Sequence, residues 1–378
     1  MFLSAILGFL AVLSLVLMLW QWFVARRFPL HERAGTHSFA PAVTLLKPLK
    51  GHDAHAEACL RSWFAQNYPG PLQILFGVAS AADPVCETVR NLLRENPGID
   101  AELIVCGPPP GANSKVSKLV ELARAARHDI LIVSDADVRV TPDFLANVVA
   151  PLRNQETGLV NCFYRLANPT TLAMQWEAVA INADFWSQVL QANSLKPMDF
   201  ALGAVMAVRR EQLEKIGGFA ALMNCLADDY QLGNRIVRGG QRIALSPVVV
   251  ECWSEPMDWS AVWTHQLRWA RTIRVCQPAP YFFSILSNAT LWPVLWLAVN
   301  PSGLVLVFCL GCLGLRMATA AHLQQKLTGA RNHYLYSWLV PIKDLLQTAI
   351  WVAAFGGNHI EWRGQKMRLQ RDGTLQKC

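Results

Sequence analysis

The feature that most constrains this chain is an almost wholly apolar run at its N-terminus, from Phe2 to Ala25. At about 1.5 Å of rise per residue, a helix of this length crosses a hydrocarbon core of about 30 Å. A cleaved signal peptide would carry basic residues before a shorter apolar core, whereas here the basic pair Arg26 and Arg27 follows the run. By the positive-inside rule, residues 1–27 are therefore predicted to form a transmembrane anchor, with the following residues in the cytoplasm.

Three further apolar runs lie near the C-terminus. The first two, Tyr281–Val299 and Leu304–His322, predict a helical hairpin across the membrane. The third, Leu335–Phe355, contains the adjacent charged residues Lys343 and Asp344. Burying such a pair in the middle of a bilayer is expensive. We therefore expect this third run to be interfacial or re-entrant.

Composition and charge agree with a membrane protein. The hydrophobic fraction of 53% and the charged fraction of 16% are explained by membrane segments. The net charge of +7 is modest, which argues against a nucleic-acid partner. We attribute the excess to attraction by the cytoplasmic leaflet and to a phosphate site. Residues 277–356 are assigned to a C-terminal membrane region and residues 357–378 to a cytoplasmic tail, with a small hairpin turning at Arg371–Gly373.

Between these segments, residues 38–276 alternate short apolar runs with helical patterns. The runs predicted as buried strands are Val43–Leu46, Ile74–Val78, Leu103–Val105 and Ile130–Val133, and the predicted helices include Ala54–Ala65, Val85–Glu95 and Lys115–Ala126. This alternation is typical of an open, mainly parallel, Rossmann-like α/β sheet. In such sheets ligands bind beyond the carboxyl ends of the strands.

Two of the predicted strands end in residues that could take part in ligand binding or catalysis. The fourth runs directly into Asp135 and Asp137, whose carboxylates suit Mg²⁺ or Mn²⁺ bridging a diphosphate. Alternatively, these residues form a turn before the next helix, which begins near Thr141. The first strand ends at Lys47, which faces either a phosphate or only solvent.

A second acidic pair, Asp228 and Asp229, precedes a predicted helix that runs to Arg238. Acidic residues are favoured at helix N-termini by the helix dipole. The same pair could supply a general base. On the pattern alone, both interpretations stay open.

The segment from Trp259 to Arg274 combines apolar residues near helical spacing with His265, Arg268 and Arg271. This pattern predicts a basic amphipathic helix on the membrane surface. Such a placement is compatible with contact between Arg268 and a diphosphate.

In this order, the motifs resemble those of family-2-like GT-A glycosyltransferases, and more closely the ceramide glucosyltransferase family (family 21). The segments that carry the resemblance are LLKPLKG (Leu45–Gly51), Asn113-Ser114-Lys115, SDADVRV (Ser134–Val140), ADDY (Ala227–Tyr230) and HQLRW (His265–Trp269). Two stretches, Phe200–Arg210 and His265–Arg274, look most like the bacterial hopanoid-biosynthesis branch of this group.

The resemblance implies roles for individual residues. Asp137, with Asp135, would bind the metal and the donor, and Asp229 would be the general base. Arg268 and Trp269 match the end of the family's terminal motif, at the diphosphate and acceptor. Further donor, acceptor or diphosphate contacts are expected from Lys47, Asp228, His265 and Arg271. The other polar or aromatic residues considered for the acceptor pocket, Asp184, Trp186 and Asp199, are expected to be structural.

Two departures from the family pattern concern nucleotide contact. Ser80 stands where the family has an early aspartate near the base of the nucleotide. Asp83 is close by, and would either replace that aspartate or only cap the next helix. His265 stands where the wider family has Gln or Arg.

The resemblance implies an inverting transfer from a UDP-sugar to a membrane lipid hydroxyl, at the cytoplasmic face of a bacterial inner membrane. The preferred reaction is transfer of N-acetylglucosamine to bacteriohopanetetrol. Transfer of glucose to ceramide is the alternative within this chemistry, since no residue discriminates the two lipids physically. A polysaccharide synthase is disfavoured because no multi-helix channel follows the predicted catalytic domain. From another class, a catalytically silent membrane scaffold would keep the fold without the reaction.

Overall fold

The structure, a computed structural model, describes residues 1–34, 39–330, 335–362, 365–370 and 373–377. The chain forms two compact units, each assembled from separate stretches. The unit called here the helical unit comprises Met1–Phe28, Pro169–Pro197 and Pro256–Asp372, and the sheet unit comprises Pro29–Asn168, Met198–Glu255 and Gly373–Cys378. Both units are discontinuous in sequence, and the linear domain boundaries expected from sequence stay a prediction.

Eleven strands lie in the described residues. They are β1 (Val43–Pro48), β2 (Leu72–Val78), β3 (Asp100–Val105), β4 (Ile130–Ser134), β5 (Val138–Arg139), β6 (Thr157–Leu166), β7 (Val205–Arg209), β8 (Arg242–Cys252), β9 (His359–Trp362), β10 (Gln365–Leu369) and β11 (Leu375–Lys377).

Fourteen α-helices lie in the same ranges. They are α1 (Phe2–Arg27), α2 (Ala56–Phe64), α3 (Val85–Glu95), α4 (Ser114–Ala125), α5 (Phe144–Val149), α6 (Leu172–Val179), α7 (Trp186–Leu195), α8 (Arg210–Lys215), α9 (Asp228–Arg238), α10 (Trp259–Cys276), α11 (Pro278–Phe283), α12 (Leu291–Val299), α13 (Gly303–Thr328) and α14 (Leu339–Phe355). A π-helical turn, Ala180–Phe185, joins α6 to α7.

The sheet unit is built on an eight-stranded sheet in the order β3-β2-β1-β4-β7-β6-β8-β5. The first four strands of this order are parallel, as is the β6–β8 pair. The antiparallel strand β7 separates them and pairs with both β4 and β6. The predicted α/β class, with its mainly parallel sheet, is confirmed.

Both faces of this sheet are covered, which explains the continuous apolar runs of its strands. Side chains alternate between the faces of a strand. Accordingly, Leu45 packs in one core cluster with Trp63 of α2, and Leu46 packs in another with Val116 of α4. This burial holds the carboxyl ends of β1 and β4 side by side, where the acidic residues follow.

In the helical unit, two described helices, α1 and α13, are long and apolar enough to cross a membrane. The run Tyr281–Val299, predicted as one helix of a hairpin, is broken instead: α11 and its following turn meet α12 at a bend of 55°. Asn288 lies at this break, and its Oδ1 accepts hydrogen bonds from the backbone N of Thr290 at 3.1 Å and of Leu291 at 2.9 Å. These contacts start a new helix rather than continuing the previous one.

The charged pair in α14 is buried, and its charge is neutralised within the helical unit. Arg316 of α13 lies 2.9 Å from Asp344 Oδ1 and 2.8 Å from Asp184 Oδ2. Lys343 also pairs with both aspartates. Each of the four residues is at most 6% exposed. Asp184 therefore has the structural role expected of it, while the interfacial or re-entrant placement of α14 stays a prediction.

The C-terminal tail contains the hairpin strands β9 and β10, which pair antiparallel. The turn predicted at Arg371–Gly373 falls partly on residues 371–372, outside the described residues.

Candidate active site

The acidic end of β4 is held in place by a buried lysine. Lys47 of β1 is fully buried, and its Nζ donates to Ser134 Oγ at 3.2 Å and to the carbonyl oxygen of Asp135. The backbone N of Asp135 donates to the carbonyl oxygen of Ala204 at 3.1 Å. Two neighbouring strands therefore fix the turn that presents Asp135 and Asp137.

Burial lowers the pKa of Lys47 to about 8, although the carboxylates of Asp137 and Asp135 oppose that shift. Sequence reasoning placed Lys47 against the donor. In the structure its Nζ instead binds Ser134 and the backbone of Asp135 at the end of β4. A direct contact with a phosphate would require Nζ to leave these partners.

A second lysine, Lys115, joins the two acidic motifs. Its Nζ lies 2.7 Å from Asp135 Oδ1 and 3.4 Å from Asp228 Oδ2. Burial alone would lower the pKa of Lys115, but these two carboxylates hold it above its ordinary value. Sequence reasoning did not include Lys115 among the site residues. The available signal was its place in the Asn113-Ser114-Lys115 segment.

Asn113 positions Lys115 and Asp228 together. This fully buried side chain caps α4, because its Oδ1 accepts from the backbone N of Lys115 at 3.1 Å and of Val116 at 3.2 Å. Its Nδ2 donates to the carbonyl oxygen of Cys225 at 2.8 Å and to Asp228 Oδ1 at 3.3 Å. One side chain thus connects the start of α4 with the start of α9.

Asp229 lies beside Asp228 in the first turn of α9. Its Oδ1 accepts a hydrogen bond from the backbone N of Tyr230 at 2.8 Å. A Cβ added to Gly203 would lie only 2.7 Å from its Oδ2, so a side chain at that position would displace the carboxylate. Burial, together with the neighbouring charge of Asp228, raises the pKa of Asp229 to about 6. The group is therefore more basic than an ordinary aspartate and still ionised at neutral pH.

The Asp135–Asp137 pair fits a divalent ion that arrives with a diphosphate. Burial, and then the nearby charge of Asp135, raise the pKa of Asp137 to about 6, against the opposing effect of Lys47. The described residues contain no group of three His, Cys, Asp or Glu that could hold a metal by themselves. Mg²⁺ is usually bound through one or two carboxylates plus substrate phosphates. Asp137 and the more accessible Asp135, whose side chain is 37% exposed, supply two such carboxylates.

Asp83 has a capping role in the structure. Its carboxylate accepts from the backbone N of Gly51 at 3.0 and 3.1 Å and of Val85 at 3.2 Å. Gly51 has a φ of 72°, in the left-handed region that favours glycine. Asp83 thus ties the loop after β1 to the start of α3, while its contact with a nucleotide stays a prediction. The Oγ of Ser80 accepts a local hydrogen bond from the backbone N of Ala82 at 3.2 Å.

The remaining site candidates lie on α10, in the helical unit. His265 Nδ1 lies 2.7 Å from Oε1 of the buried Glu177, and the His265 ring lies 4.7 Å from that of Trp269. Arg271 donates to the backbone carbonyl oxygen of His359, at the start of β9. Arg271, expected near the diphosphate, therefore holds the C-terminal hairpin. Arg268 is half-buried on the same helix.

The structure thus brings five of the predicted residues into the sheet unit's acidic cluster and adjoining strand end. These are Lys47, Asp135, Asp137, Asp228 and Asp229. The four candidates of α10 belong to the helical unit.

Comparison with known proteins places this geometry in a family. The model of glycosyl transferase family 21 matches residues 6–375. Ceramide glucosyltransferase 3 of Caenorhabditis elegans is 23% identical over 394 residues, covering 99% of this chain and 82% of that protein. The ceramide glucosyltransferase of Candida albicans is 35% identical over 121 residues, covering 29% of this chain and 22% of that protein.

Among solved structures, a mannosyltransferase from Pyrobaculum calidifontis in complex with GDP-Man and Mn²⁺ matches with a TM-score of 0.53 and 20% identity. The match covers 92% of this chain and 99% of that one, which confirms the predicted GT-A architecture. The family model spans nearly the whole sequence, including both acidic motifs. The chain therefore belongs to glycosyl transferase family 21 and is a glycosyltransferase.

Proposed function

We propose that this enzyme moves a sugar from a UDP-sugar to a hydroxyl of a membrane lipid, with inversion at the anomeric carbon. The observation that carries the proposal is the acidic cluster of the sheet unit. There, Lys115 contacts Asp135 after β4 and Asp228 at the start of α9, beside Asp137 and Asp229, the two carboxyl groups whose pKa is raised to about 6. This arrangement provides a candidate metal site at Asp135 and Asp137 and a separate candidate base at Asp229.

Asp135 and Asp137 would hold the divalent ion, Mg²⁺ or Mn²⁺, which when bound neutralises the negative charge of the diphosphate leaving group. Lys115 orients the Asp135 carboxylate and adds a fixed positive charge beside it. Lys47 acts as a positioning residue, because its Nζ donates a hydrogen bond to the backbone carbonyl oxygen of Asp135.

Asp229 would accept the proton of the acceptor hydroxyl as that oxygen attacks the anomeric carbon. Its pKa of about 6 allows it to be ionised at neutral pH and still to bind a proton readily. Gly203 keeps the space beside Asp229 Oδ2 free of a side chain. Asp228 is not an alternative base, since Lys115 and Asn113 already bind its two oxygens.

Two parts of this proposal rest on sequence resemblance. Arg268 and Trp269 are assigned to the diphosphate and acceptor. The location at a bacterial inner membrane is the other part that the resemblance implies. The orientation, with the acidic cluster facing the cytoplasm, is supported by the basic pair Arg26 and Arg27 after α1.

For the substrates, we prefer transfer of N-acetylglucosamine to bacteriohopanetetrol, which Phe200–Arg210 and His265–Arg274 support by their likeness to the hopanoid branch. The second candidate is transfer of glucose to ceramide. It is favoured by the names of the curated relatives, which are ceramide glucosyltransferases.

A transfer assay tests these proposals together. The protein, purified in detergent, is given labelled UDP-N-acetylglucosamine or UDP-glucose, with bacteriohopanetetrol or ceramide, in Mg²⁺, Mn²⁺ or EDTA. We expect transfer that depends on metal and is reduced by Asp229→Asn about 10²–10⁴-fold, with donor binding retained. The productive donor and acceptor pair names the reaction. Folded protein that transfers nothing with any pair would favour the silent scaffold, and full activity in Asp229→Asn would remove the base.

A further inference from the structure

An apolar groove lies in the helical unit, whereas the acidic cluster belongs to the sheet unit. Its volume is about 340 Å³, and its lining residues are Trp176, Trp259, Ser260, Val262, Trp263 and Leu346. Three helices supply them: α6, the first turns of α10, and α14. The volume lies within the range of about 300–1,000 Å³ that small-molecule pockets occupy.

The groove is open along an apolar rim. Trp259 is 46% exposed and Trp263 is 38% exposed. Leu346 lies one helical turn from Ile342, which is 42% exposed, so the two share one face of α14. Exposed apolar surface of this kind marks a protein, ligand or membrane contact. Because the same unit carries α1 and α13, which are able to cross a bilayer, lipid is the occupant that fits.

Trp176, at the buried wall of the groove, has an unpartnered polar atom. The residue is 2% exposed, and its indole N–H has no hydrogen-bond partner among the described residues. Leaving a buried donor unpaired is energetically unfavourable. An oxygen carried by an otherwise apolar ligand would relieve that penalty.

Beyond the tryptophans, α10 turns from apolar to polar. Trp269 follows Trp263 by about 9 Å along the helix at about 1.5 Å per residue. Between them, His265 and Gln266 both bind Oε1 of Glu177, at 2.7 and 2.8 Å. One helix therefore presents an apolar groove at its start and a polar, aromatic surface further along, which matches a lipid with a polar head.

We propose that this groove binds part of the apolar body of the acceptor lipid and directs the hydroxyl-bearing end along α10 toward His265 and Trp269. The inference rests on the proposed function, which requires a lipid acceptor. It adds the place where the apolar part of that lipid is held.

The first test fills the groove. Leu346→Trp adds bulk to its lining, and Leu345→Trp is the matched control on the adjacent, 43% exposed residue. For the acceptor that supports transfer, Leu346→Trp is expected to raise KM about tenfold, because displacing two methylene groups weakens binding by about that factor. The Leu345→Trp control should leave the acceptor KM unchanged. For an acceptor analogue shortened in its apolar part, neither variant should change KM. If the two variants had equal KM values for the complete acceptor, the proposal would be overturned.

The second test does not depend on turnover. The purified full chain is irradiated with a long-chain alcohol that carries a diazirine midway along its alkyl chain, and the labelled peptides are identified by mass spectrometry. We expect labelling of Trp259–Trp263 and Leu346, lost on addition of either bacteriohopanetetrol or ceramide. Labelling confined to α1 and α13, or groove labelling that neither lipid displaces, would contradict the proposal that the groove binds the acceptor lipid. Absence of transfer by the unsubstituted protein would instead contradict the proposed function, and the two failures are therefore distinguishable.

A third variant tests the unpartnered donor. Trp176→Phe keeps an aromatic ring in the wall and removes the N–H together with the five-membered ring of the indole. If that N–H binds an oxygen of the acceptor, acceptor KM rises several-fold while kcat and donor KM stay constant. An unchanged acceptor KM would show that no lipid oxygen reaches it.

Discussion

At the residue scale, this site is organised around carboxylates that destabilise one another. Asp137 and Asp229 are each half-buried beside another aspartate, and partial burial together with that neighbour raises the pKa of each to about 6. Two buried lysines, Lys47 and Lys115, compensate part of that charge. The remaining deficit of positive charge is what a metal ion and a proton would supply during the reaction.

The first prediction concerns stability. The folded pKa of Asp137 lies above its ordinary value of 3.8, so the folded state binds its proton more tightly than the unfolded chain does. Ionisation therefore lowers stability as pH rises from about 4 to about 6. Without metal, Asp137→Asn should melt at a higher temperature than the parent at pH 8 and at a similar temperature at pH 4.

Thermal unfolding in EDTA at both pH values checks this. Asp100→Asn, at a surface position paired with Arg127, is the control and should show no such pH-dependent gain. A lower melting temperature for Asp137→Asn at pH 8 would show that its carboxylate stabilises the fold instead. Metal-dependent transfer should be lost in the same variant.

The second prediction concerns the pH dependence of catalysis. Because Asp229 must be ionised to accept a proton, kcat/KM measured at saturating metal should fall about tenfold per pH unit below about 6. An ordinary aspartate would place this fall near 4. A profile that is flat down to pH 5 would be inconsistent with Asp229 as the base.

The third prediction tests the close approach of Gly203 to Asp229. Gly203→Ala places a methyl group 2.7 Å from Asp229 Oδ2 and should force the carboxylate to move. We expect a loss of kcat of about 10²-fold, since small displacements of a catalytic group are costly, with donor KM little changed. Gly98→Ala is the control, because a Cβ there meets nothing within 4 Å. Equal kcat values in the two variants would show that the space beside Gly203 does not control the position of the Asp229 carboxylate.

At the element scale, buried charges hold the helices of the helical unit together. Asp344 of α14 accepts from Arg316 of α13 and from Thr290, at the break before α12, at 2.7 Å. Its carbonyl oxygen accepts from Asn288 at 2.9 Å. The bend between α11 and α12 is therefore fixed by a charged residue of another helix.

The fourth prediction follows from the neutrality of this network. Arg316→Met leaves two aspartates facing one lysine, and losing one partner of a buried ion pair typically costs about 3–5 kcal/mol. Adding Asp184→Asn restores an equal number of charges, so the double variant should be more stable than the single variant. Thermal unfolding in detergent, followed for both, measures the difference. A double variant less stable than Arg316→Met would show that hydrogen bonding, rather than charge balance, dominates.

At the scale of the whole molecule, the chain combines helices suited to a bilayer with a sheet that carries polar chemistry. The two candidate spans, α1 and α13, belong to one compact unit. The acidic cluster belongs to the other. Each unit gathers segments from distant parts of the sequence, so neither unit corresponds to a single stretch of the chain.

The fifth prediction concerns membrane attachment and orientation. Expressed in bacterial cells, the protein should stay in the membrane fraction after an alkaline carbonate wash, because α1 and α13 are apolar over 26 residues each. A cysteine-reactive label that does not cross the membrane should reach an engineered Asp100→Cys only in inverted vesicles. Labelling of that cysteine in intact spheroplasts would reverse the proposed orientation.

The sequence by itself determined the local elements of this protein. Apolar periodicity and helix-start signals depend on neighbouring residues, and for this reason β1, β4, α3 and α9 begin and end close to where they were predicted. The order of the motifs was sufficient to identify the family. The acidic residues at the end of β4 and the start of α9 were also recognisable, because the residue types required by the chemistry are few.

Only the tertiary structure decided which charges meet. Lys47 is a solvated or phosphate-binding lysine in the sequence pattern and a buried strand-end support in the fold. Lys115 pairs with Asp135 and with Asp228, which is more than a hundred residues further along the chain. Arg271 donates a hydrogen bond to the backbone of a distant hairpin. Burial and ion pairing depend on segments remote in sequence, and no local pattern specifies them.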